Sequence, residues 1–353
     1  MKKIAYIEVD THAEIAGNFM ELMSGSTEFS VDYYFSKKIL KQLGVSFPNV
    51  HATESSNLPD KLKKKDYDLV IIGTVHRYFN VFEKITAQFN TSIIVHNLNF
   101  TKVSRTNLFI NIFKKDFKYR LKLLMKEGLL SAPNVFKNSK NLLVLDETLI
   151  RENPDLKLKF LPVFFLKDYS KVRKSIVTIV IPGAVSQERR DYLHLLKSIK
   201  TFKRNTHFQF VFLGKAAGKE LRWIKEFEES KPQNISLTYF TERVPQEIFD
   251  EYMMRAAILW CPVQSETEFF SNKECYGISK MSGNVGDAIK YGKPAIFSEN
   301  YPNSHPFIIP ENKNIEEEIY TYHQWMEYDF EQNFGKEKVL KSLEETLYRL
   351  IKT

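Results

Sequence analysis

The sequence has few cysteines and no long apolar run. Only Cys261 and Cys275 occur among 353 residues, too few for a disulfide framework and without the spacing of metal ligands, which fits a reducing compartment. The longest apolar runs, such as 69–73 and 175–183, are well short of the roughly 18 residues needed to cross a bilayer. Acidic residues stand within positions 1–10, where a signal peptide needs an apolar core. We therefore expect a cytoplasmic protein without a transmembrane helix.

Size and composition indicate two globular domains. With 353 residues, of which 43% are hydrophobic and 27% charged, the chain is long enough for two domains of about 150 residues that each bury a core. Its charge is unevenly spread, because residues 1–170 hold 25 Lys and Arg against 18 Asp and Glu, whereas residues 171–353 hold 26 against 25. Residues 102–127 contribute eight basic residues against two acidic ones. The first half therefore carries most of the net charge of +8.

Short apolar runs alternate with helix-compatible stretches along both halves. In the first half, strands are predicted at 4–9, 29–35, 69–73, 92–95 and 142–145, and helices at 12–23, 58–65, 81–89 and 106–126; a final apolar run at 158–165 leads into the predicted linker. In the second half, strands are predicted at 176–181, 208–214, 235–240, 258–262 and 295–298, and helices at 187–200, 219–229, 246–257 and 285–291. This alternation predicts an α/β fold with parallel, doubly wound sheets. The predicted units are a first domain at 1–166, a linker at 167–174, a second domain at 175–318 and terminal helices over 319–353.

A small-residue loop at Gly183 follows the first strand of the second domain and leads into a predicted helix. Backbone N–H groups and the dipole at a helix N-terminus favour a phosphate. Arg189 and Arg190 then either pair with a diphosphate or are solvated charges on the first turn. The loop has neither a Walker motif nor the G-x-G-x-x-G spacing of a dinucleotide site. In doubly wound sheets, ligands lie beyond the carboxyl ends of the strands, so we expect the site in the cleft between the domains.

A second candidate phosphate cradle precedes the helix predicted at 285–291. Ser282 and Gly283 stand where the loop enters this helix, and Lys280 lies beside them. Asp287 falls on the first turn, where the helix dipole favours a carboxylate that can accept hydrogen bonds from ribose hydroxyls. Together these residues indicate a nucleotide site.

The order of motifs over residues 176–298 resembles that of the nucleotide-sugar-dependent glycosyltransferases of the GT-B fold, in particular the E-x7-E family. That family shows a helix of the form Glu-Ala-x-x-x-Gly-x-Pro, and this chain has Asp287-Ala-Ile-Lys-Tyr-Gly-Lys-Pro294. Gly214 and Lys215 end a segment that looks like the family's second strand and loop. The resemblance implies two Rossmann-like domains facing across a cleft. It places the nucleotide-sugar donor on the second domain and the acceptor on the first, and the C-terminal helices of 319–353 cross back to the first domain.

The family's paired carboxylates have two alternative counterparts in this chain. Glu266 and Glu274 are separated by seven residues, a literal E-x7-E, yet the helix signature places the second carboxylate at Asp287, 13 positions after Glu274. In the other alignment, Glu274-Cys-Tyr-Gly is the counterpart of the family's Glu-Gly-Phe-Gly, and Glu266 is a surface acid. We favour Glu274 as a catalytic residue with Asp287 at the donor, and keep Glu266 as the alternative.

Three of the eight histidines follow predicted strands of the first domain. His12 follows the first strand, His76 the strand that ends near residue 73, and His96 the strand that ends near residue 95. A neutral imidazole can take the proton of an acceptor hydroxyl as that hydroxyl attacks the anomeric carbon. We predict His12 as the general base, with His76 and His96 as acceptor-side candidates. An enzyme that retains anomeric configuration needs no such base.

No metal or cofactor is predicted. Asp66 and Asp68 form a nominal D-x-D, but this pair precedes a strand instead of following one, so it indicates turn chemistry. The resemblance implies that diphosphate charge is balanced by Arg189, Arg190 or Lys280 and by helix dipoles.

Residues 106–126 interleave apolar side chains with cations at three- and four-residue spacing, which predicts an amphipathic helix with a basic face. Such a helix either lies on an anionic membrane, making the protein peripheral at the inner face of the cell membrane, or packs on the core with its lysines in water. Nucleic acid is not predicted as a partner, because no recognised binding module accompanies the charge.

These features together predict a hexosyltransferase-like enzyme that moves a sugar from a nucleotide diphosphate sugar to a glycan or lipid-linked acceptor. Surface polysaccharide or lipopolysaccharide synthesis is the context that the resemblance implies. The alternatives are a sugar-nucleotide epimerase on the same fold and a non-catalytic, membrane-associated protein that binds nucleotide sugars.

Overall fold

The computed structural model describes residues 1–167, 176–303, 305–325 and 328–352. Within these residues, each half of the chain forms its own parallel sheet with helices on both faces, and one antiparallel hairpin stands apart from the two sheets. The predicted α/β class and the two doubly wound sheets are confirmed. Most of the predicted linker 167–174 lies outside the described residues.

The first sheet has seven parallel strands in the order β3-β2-β1-β4-β5-β6-β7. Its strands are β1 (Lys2–Glu8), β2 (Phe29–Phe35), β3 (Val50–Ala52), β4 (Leu69–Ile72), β5 (Thr91–Ile94), β6 (Asn141–Val144) and β7 (Leu158–Phe160). Its helices are α1 (Ala13–Met23), α2 (Lys37–Leu43), α3 (Leu58–Leu62), α4 (Phe79–Gln88), α5 (Leu98–Thr101), α6 (Arg105–Asn111), α7 (Phe117–Glu127), α8 (Ala132–Asn138) and α9 (Thr148–Glu152).

The second sheet has six parallel strands in the order β10-β9-β8-β11-β14-β15. Its strands are β8 (Val177–Pro182), β9 (Phe208–Lys215), β10 (Ile235–Phe240), β11 (Ile258–Cys261), β14 (Ala295–Phe297) and β15 (Ile308–Pro310), and the separate hairpin pairs β12 (Glu266–Phe269) with β13 (Asn272–Cys275). The helices of this half are α10 (Tyr192–Ile199), α11 (Gly218–Ser230), α12 (Gln246–Arg255), α13 (Gly283–Tyr291), α14 (Ile315–Trp325), α15 (Phe330–Phe334) and α16 (Lys336–Ile351).

The central strands are apolar because helices cover both of their faces. All four residues of β4 and all six of β8 are buried, as expected for a parallel sheet covered on both sides. Strand order reverses between β1 and β4 in the first sheet and between β8 and β11 in the second. Each reversal opens a crevice at the carboxyl edge of its sheet, where ligands of this architecture bind.

The terminal helices divide between the two halves. In α16, Leu343 and Leu347 are fully buried in the same apolar cluster as Phe19 of α1, so this helix crosses back to the first half. In α14, Ile315 and Ile319 pack in the core of the second half. Residues 315–325 therefore stay with the second sheet.

Two predicted helices differ from the observed ones. The segment 106–126 forms α6 and α7 rather than one helix, and Asp116 at the start of α7 adopts a left-handed conformation with φ of 47°. The helix predicted from residue 187 begins at Tyr192, because Asp191 caps it by accepting a hydrogen bond from the His194 N–H at 3.1 Å. Arg189 and Arg190 therefore precede the helix instead of lying on its first turn.

Candidate active site between the two sheets

The carboxyl edges of the two sheets meet across a cleft. The Lys290 ammonium of α13 lies 3.6 Å from the Glu14 carboxylate at the start of α1. Lys280 also reaches across, donating a hydrogen bond from Nζ to Asn97 Oδ1 at 2.9 Å. Each pair joins one half of the chain to the other, so the loops that carry the predicted residues face each other.

Two glycine turns approach closely at the edge of the second sheet. Gly183 has φ of +98°, which side chains with a Cβ rarely adopt. A Cβ on Gly214 would lie 2.2 Å from the Gly183 carbonyl oxygen, so the turn after β8 requires glycine at both positions. Lys215, by contrast, is exposed and lies 3.7 Å from Glu242. The structure thus gives Gly214 a packing role and leaves Lys215 at the surface.

Arg190 is held over the Gly183 turn. Its Nη2 donates to Asn284 Oδ1 at 3.1 Å, and its Nη1 donates to the Ala184 carbonyl at 3.3 Å. The Nε of Arg190 is buried and has no hydrogen-bond partner among the described residues. Arg189 is exposed. Of the two predicted arginines, Arg190 is therefore the one that is fixed at the strand end, and its Nε is a donor that no described residue accepts.

Asn284 connects Arg190 to Asp287. The amide of Asn284 donates to Asp287 Oδ2 at 3.0 Å while its carbonyl accepts from Arg190. Burial, together with the nearby Glu14 carboxylate, raises the pKa of Asp287 from 3.8 to about 7. The sequence analysis missed Asn284 and Glu14. Asn284 could have been found from the helix signature around Asp287, since it lies one helical turn before Asp287.

The N-terminus of α13 is open. Ser282 caps the helix by accepting from the Asn284 N–H at 3.4 Å. No atom lies within 4 Å of a Cβ built on Gly283, whereas a Cβ on Gly286 would come within 2.5 Å of the Phe164 ring. Gly286 therefore allows close packing of the helix, and Gly283 leaves room in front of the first N–H groups, as a phosphate cradle requires.

The three predicted histidines lie together at the carboxyl edge of the first sheet. The rings of His12 and His96 stack with centroids 3.7 Å apart, and the His76 ring stands edge-on at 5.9 Å from each. Burial, together with the ammonium of Lys280, lowers the pKa of His12 to about 4 and that of His76 to about 3, and burial also lowers the pKa of His96 well below its usual value. All three rings are therefore neutral at physiological pH. We call His12, His76 and His96 the histidine cluster.

Lys280 is the cation of the second half that faces the histidine cluster. Burial lowers its pKa, so the structure holds this ammonium with few water contacts. Such a group favours an anionic ligand in the cleft, because an anion compensates the charge that water no longer solvates.

Glu274 is buried against α5 of the first half. Its side chain is fully buried and accepts hydrogen bonds from the backbone N–H groups of Asn99 at 3.3 Å and Phe100 at 3.0 Å, both in α5. Burial raises the pKa of this carboxyl. Both oxygens therefore already hold the first half of the chain, an arrangement that supports a structural role for Glu274 beside the predicted catalytic one. Glu266 is exposed and forms an ion pair with Lys273 across the hairpin.

A buried acid at the end of β1 escaped the sequence analysis. Glu8 accepts from Thr74 Oγ1 at 2.7 Å, and burial raises its pKa to about 7. Glu8 is the last residue of β1, and an acidic residue at the end of an apolar strand could have marked it as a candidate site residue. Asp68 lies at the opposite end of the sheet, where it pairs with Lys2 at 2.8 Å.

Among the described residues, no three His, Cys, Asp or Glu side chains are arranged to hold a metal ion. In the same part of the chain, every helix is too short or too polar to span a bilayer.

Comparison with known proteins identifies the fold. No protein-family model and no curated protein matches the sequence. Among solved structures, the chain is similar to Anabaena HepE in complex with UDP, with a TM-score of 0.61, 12% identity and coverage of 99% of this chain and 100% of that one. It is also similar to the lipopolysaccharide outer core galactosyltransferase WaaB, with a TM-score of 0.56, 12% identity and coverage of 98% of this chain and 99% of that one. A third similar structure is UDP-GlcNAc 2-epimerase of Neisseria meningitidis, with a TM-score of 0.53, 14% identity and coverage of 99% of this chain and 100% of that one.

The two facing doubly wound sheets and these similarities define a protein of the GT-B fold, with two Rossmann-like domains. Since these structures are at most 14% identical to the chain, they establish its architecture, and its chemistry must be argued from the residues of the cleft.

Proposed function

We propose that the protein is a glycosyltransferase that moves a sugar from a nucleotide diphosphate sugar to an acceptor hydroxyl. The observation that carries the proposal is the hydrogen-bonded series Arg190, Asn284 and Asp287 at the edge of the second sheet, opposite the neutral histidine cluster. One side of the cleft thus offers a cation and a carboxylate for a nucleotide, and the other offers proton acceptors for a hydroxyl.

The donor occupies the second half of the chain. Asp287 accepts hydrogen bonds from the ribose hydroxyls, and the open N-terminus of α13 at Gly283 faces the diphosphate. Arg190 and Lys280 balance the diphosphate charge. This arrangement needs no cofactor, because the nucleotide sugar is itself a substrate. The structure of HepE with UDP and that of the epimerase with UDP-GlcNAc make uridine nucleotides the first donors to test.

In an inverting reaction, His12 accepts the proton of the acceptor hydroxyl. The hydroxyl oxygen bonds to the anomeric carbon, the bond from that carbon to the diphosphate oxygen breaks, and the nucleoside diphosphate leaves with the electron pair. His12 is suited to this step because its lowered pKa keeps it unprotonated. The buried surroundings of the histidine cluster also exclude water that would hydrolyse the donor.

The acceptor is a glycan or a lipid-linked glycan, and the first half carries a surface that suits a membrane. Between residues 109 and 125, large apolar side chains are exposed, including Phe113 at 63% and Met125 at 75%. Exposed lysines are interleaved with them. We call this the 109–125 surface, and its members are Phe109, Ile110, Phe113, Phe117, Tyr119, Leu121 and Met125 with Lys114, Lys118 and Lys122.

Apolar side chains ringed by cations are typical of peripheral binding to anionic lipid. This surface supports a role at the inner face of the cell membrane, in the assembly of surface polysaccharide or lipopolysaccharide. Flotation with vesicles containing phosphatidylglycerol tests it. The parent chain should float and a Phe113→Ser, Met125→Ser double variant should not. Equal behaviour of the two proteins would remove the membrane from the proposal.

Nucleotide binding is the first test of the donor site. UDP, GDP, dTDP and their sugar conjugates are added at 100 times their dissociation constants, where a bound ligand stabilises the folded state by about 2.7 kcal/mol. One nucleotide should raise the melting temperature of the parent chain. Asp287→Ala should abolish the rise and Glu266→Ala should keep it, because Glu266 is at the surface. If no nucleotide raises the melting temperature, the donor site is refuted.

Transfer is tested with radiolabelled donor and a lipid extract. Label should move to the extract only in the presence of the protein, and His12→Ala should lower this transfer by about 100-fold or more. Conversion of the donor sugar without any extract would instead indicate an epimerase. Donor binding without turnover under either condition would indicate a non-catalytic protein.

A further inference from the structure

The hairpin β12–β13 belongs by sequence to the second half but packs on the first. Phe269 and Phe270 near its tip contact the apolar cluster of the first half. The Phe269 ring lies 4.8 Å from the ring of Phe100, and the Arg120 guanidinium of α7 lies 4.5 Å from the centre of the Phe270 ring. These contacts bury part of the hairpin in the other domain's core.

The tip of the hairpin is bound by side chains of α6 and α7. Phe270 and Ser271 have φ of 51° and 56°, a left-handed conformation that residues with a Cβ rarely adopt. Asn111 donates to the Phe270 carbonyl at 3.0 Å, and Arg120 donates to Ser271 Oγ at 2.8 Å. The first half thus holds this turn with two hydrogen bonds in addition to the ring contacts.

The base of the hairpin is bound by α5. The buried Glu274 carboxylate accepts the N–H groups of Asn99 and Phe100, and the Asn99 side chain donates to the Lys273 carbonyl at 2.9 Å. Just beyond the hairpin, the Leu98 N–H donates to the Ser279 carbonyl at 2.8 Å. The segment that leads from the hairpin to α13 is therefore tied to the first half at successive points.

These contacts bring parts of the candidate site together. Lys280 follows Ser279 and reaches Asn97, the residue before α5. Phe269 lies with its ring centre 4.4 Å from that of His76. The position of the Lys280 ammonium beside the histidine cluster therefore depends on where the hairpin is held.

We propose that the hairpin is a clasp that fixes the arrangement of the two halves, and that Glu274 is a positioning residue that keeps Lys280 beside the histidine cluster. The role of Lys280 in balancing the diphosphate charge rests on the proposed function. The clasp itself does not, since it follows from contacts between the two halves of the chain.

The test compares Glu274→Ala and Glu274→Gln with Glu266→Ala, which removes the same side chain from the exposed face of the same hairpin. Hydrogen exchange of residues 97–101 reports the contact with α5. Acylation of Lys280, quantified by peptide mapping, reports its position. In Glu274→Ala both rates should rise at least 10-fold. Glu274→Gln should restore most of the protection, because its side-chain oxygen still accepts an N–H. Glu266→Ala should match the parent chain.

A rise in the exchange rate without a rise in Lys280 acylation would make Glu274 only a local helix cap, and this would overturn the proposal. No change in either rate would also overturn it. Exchange in β8 shows whether the variant remains folded. If Glu274→Ala loses protection there, the double variant Asn111→Ala, Phe270→Ala releases the tip and leaves the cap in place. It should raise Lys280 acylation, and an unchanged rate would overturn the proposal. Neither measurement uses a nucleotide, so failure of UDP to bind refutes the donor site and leaves the clasp standing.

Discussion

The segment between β11 and β14 carries two carboxyl groups, Glu274 of β13 and Asp287 of α13, that differ in what surrounds them. Glu274 accepts two backbone N–H groups of the other half of the chain. Asp287, 13 positions later, accepts one amide N–H from Asn284 and faces the Glu14 carboxylate. Burial raises the pKa of both. The first group is satisfied within the protein, and the second lacks the donors that would stabilise its charge. That difference supports a structural role for Glu274 and the proposed ligand-binding role for Asp287.

The N-termini of α5, which Glu274 contacts, and of α13, which contains Asp287, show the same contrast. The first N–H groups of α5 are covered by the Glu274 carboxylate, which comes from another part of the chain. At α13 the cap is the helix's own Ser282, and the space at Gly283 is open. A closed helix N-terminus contributes stability, whereas an open one keeps its N–H groups for an anion.

The largest expected effect is a loss of stability in Glu274→Ala. Removal of the carboxylate leaves the buried N–H of Phe100 and the partly buried N–H of Asn99 without an acceptor, and an unsatisfied buried group costs about 1–3 kcal/mol. We expect the free energy of unfolding to fall by roughly 3 kcal/mol, measured by urea denaturation. Asp287→Ala should not lower it, because this side chain is poorly solvated and close to Glu14. Equal losses in the two variants would erase the contrast between the two carboxyl groups.

A smaller effect is expected from alanine substitutions at Gly283 and Gly286 of α13, which separate helix packing from the open N-terminus. Gly286→Ala places a Cβ within 2.5 Å of Phe164, so we expect a loss of about 2 kcal/mol from overpacking. Gly283→Ala meets no atom within 4 Å and should leave stability unchanged while weakening nucleotide binding. Denaturation with and without UDP measures both. A Gly283→Ala variant that binds UDP as the parent does would show that the open N-terminus is not used by the diphosphate.

Much of the fold follows from local patterns. Strands such as β2 and β10 were predicted at their observed bounds, because apolar runs and their flanking residues mark strands of a parallel sheet without knowledge of the rest of the chain. The gathering of His12, His76 and His96 was also predictable, since each follows a strand and the carboxyl ends of parallel strands share one edge.

The role of Glu274 was not predictable in this way. Its partners, Asn99 and Phe100, are about 175 positions away, and no local pattern encodes a contact over that separation. The sequence analysis predicted no strand at 266–275, because Phe270 and Ser271 occupy turn positions that usually hold glycine or asparagine. The motif alignment therefore predicted a catalytic role for Glu274 without access to the tertiary contacts on which the proposed structural role depends.

The smallest expected effect is a pH dependence that comes from Asp287. Its pKa is about 7 in the folded state and 3.8 in the reference state, so the folded protein binds more protons than the unfolded chain between these values. Stability from this group is therefore lost as pH rises from 4 through 7. Because the side chain is half-buried, solvent screens its charge, and the expected change in the free energy of unfolding is about 1 kcal/mol.

The comparison of the parent chain with Asp287→Asn isolates this term, because Glu8, whose pKa is also raised to about 7, titrates equally in both proteins. Urea denaturation at pH 5 and pH 8 should show the parent losing about 1 kcal/mol more than the variant. If the two proteins lose the same amount, Asp287 is already solvated or paired in the free protein. It would then resemble Glu274 in being satisfied without a ligand, and the case for a nucleotide at this position would have to rest on Arg190 and the open helix alone.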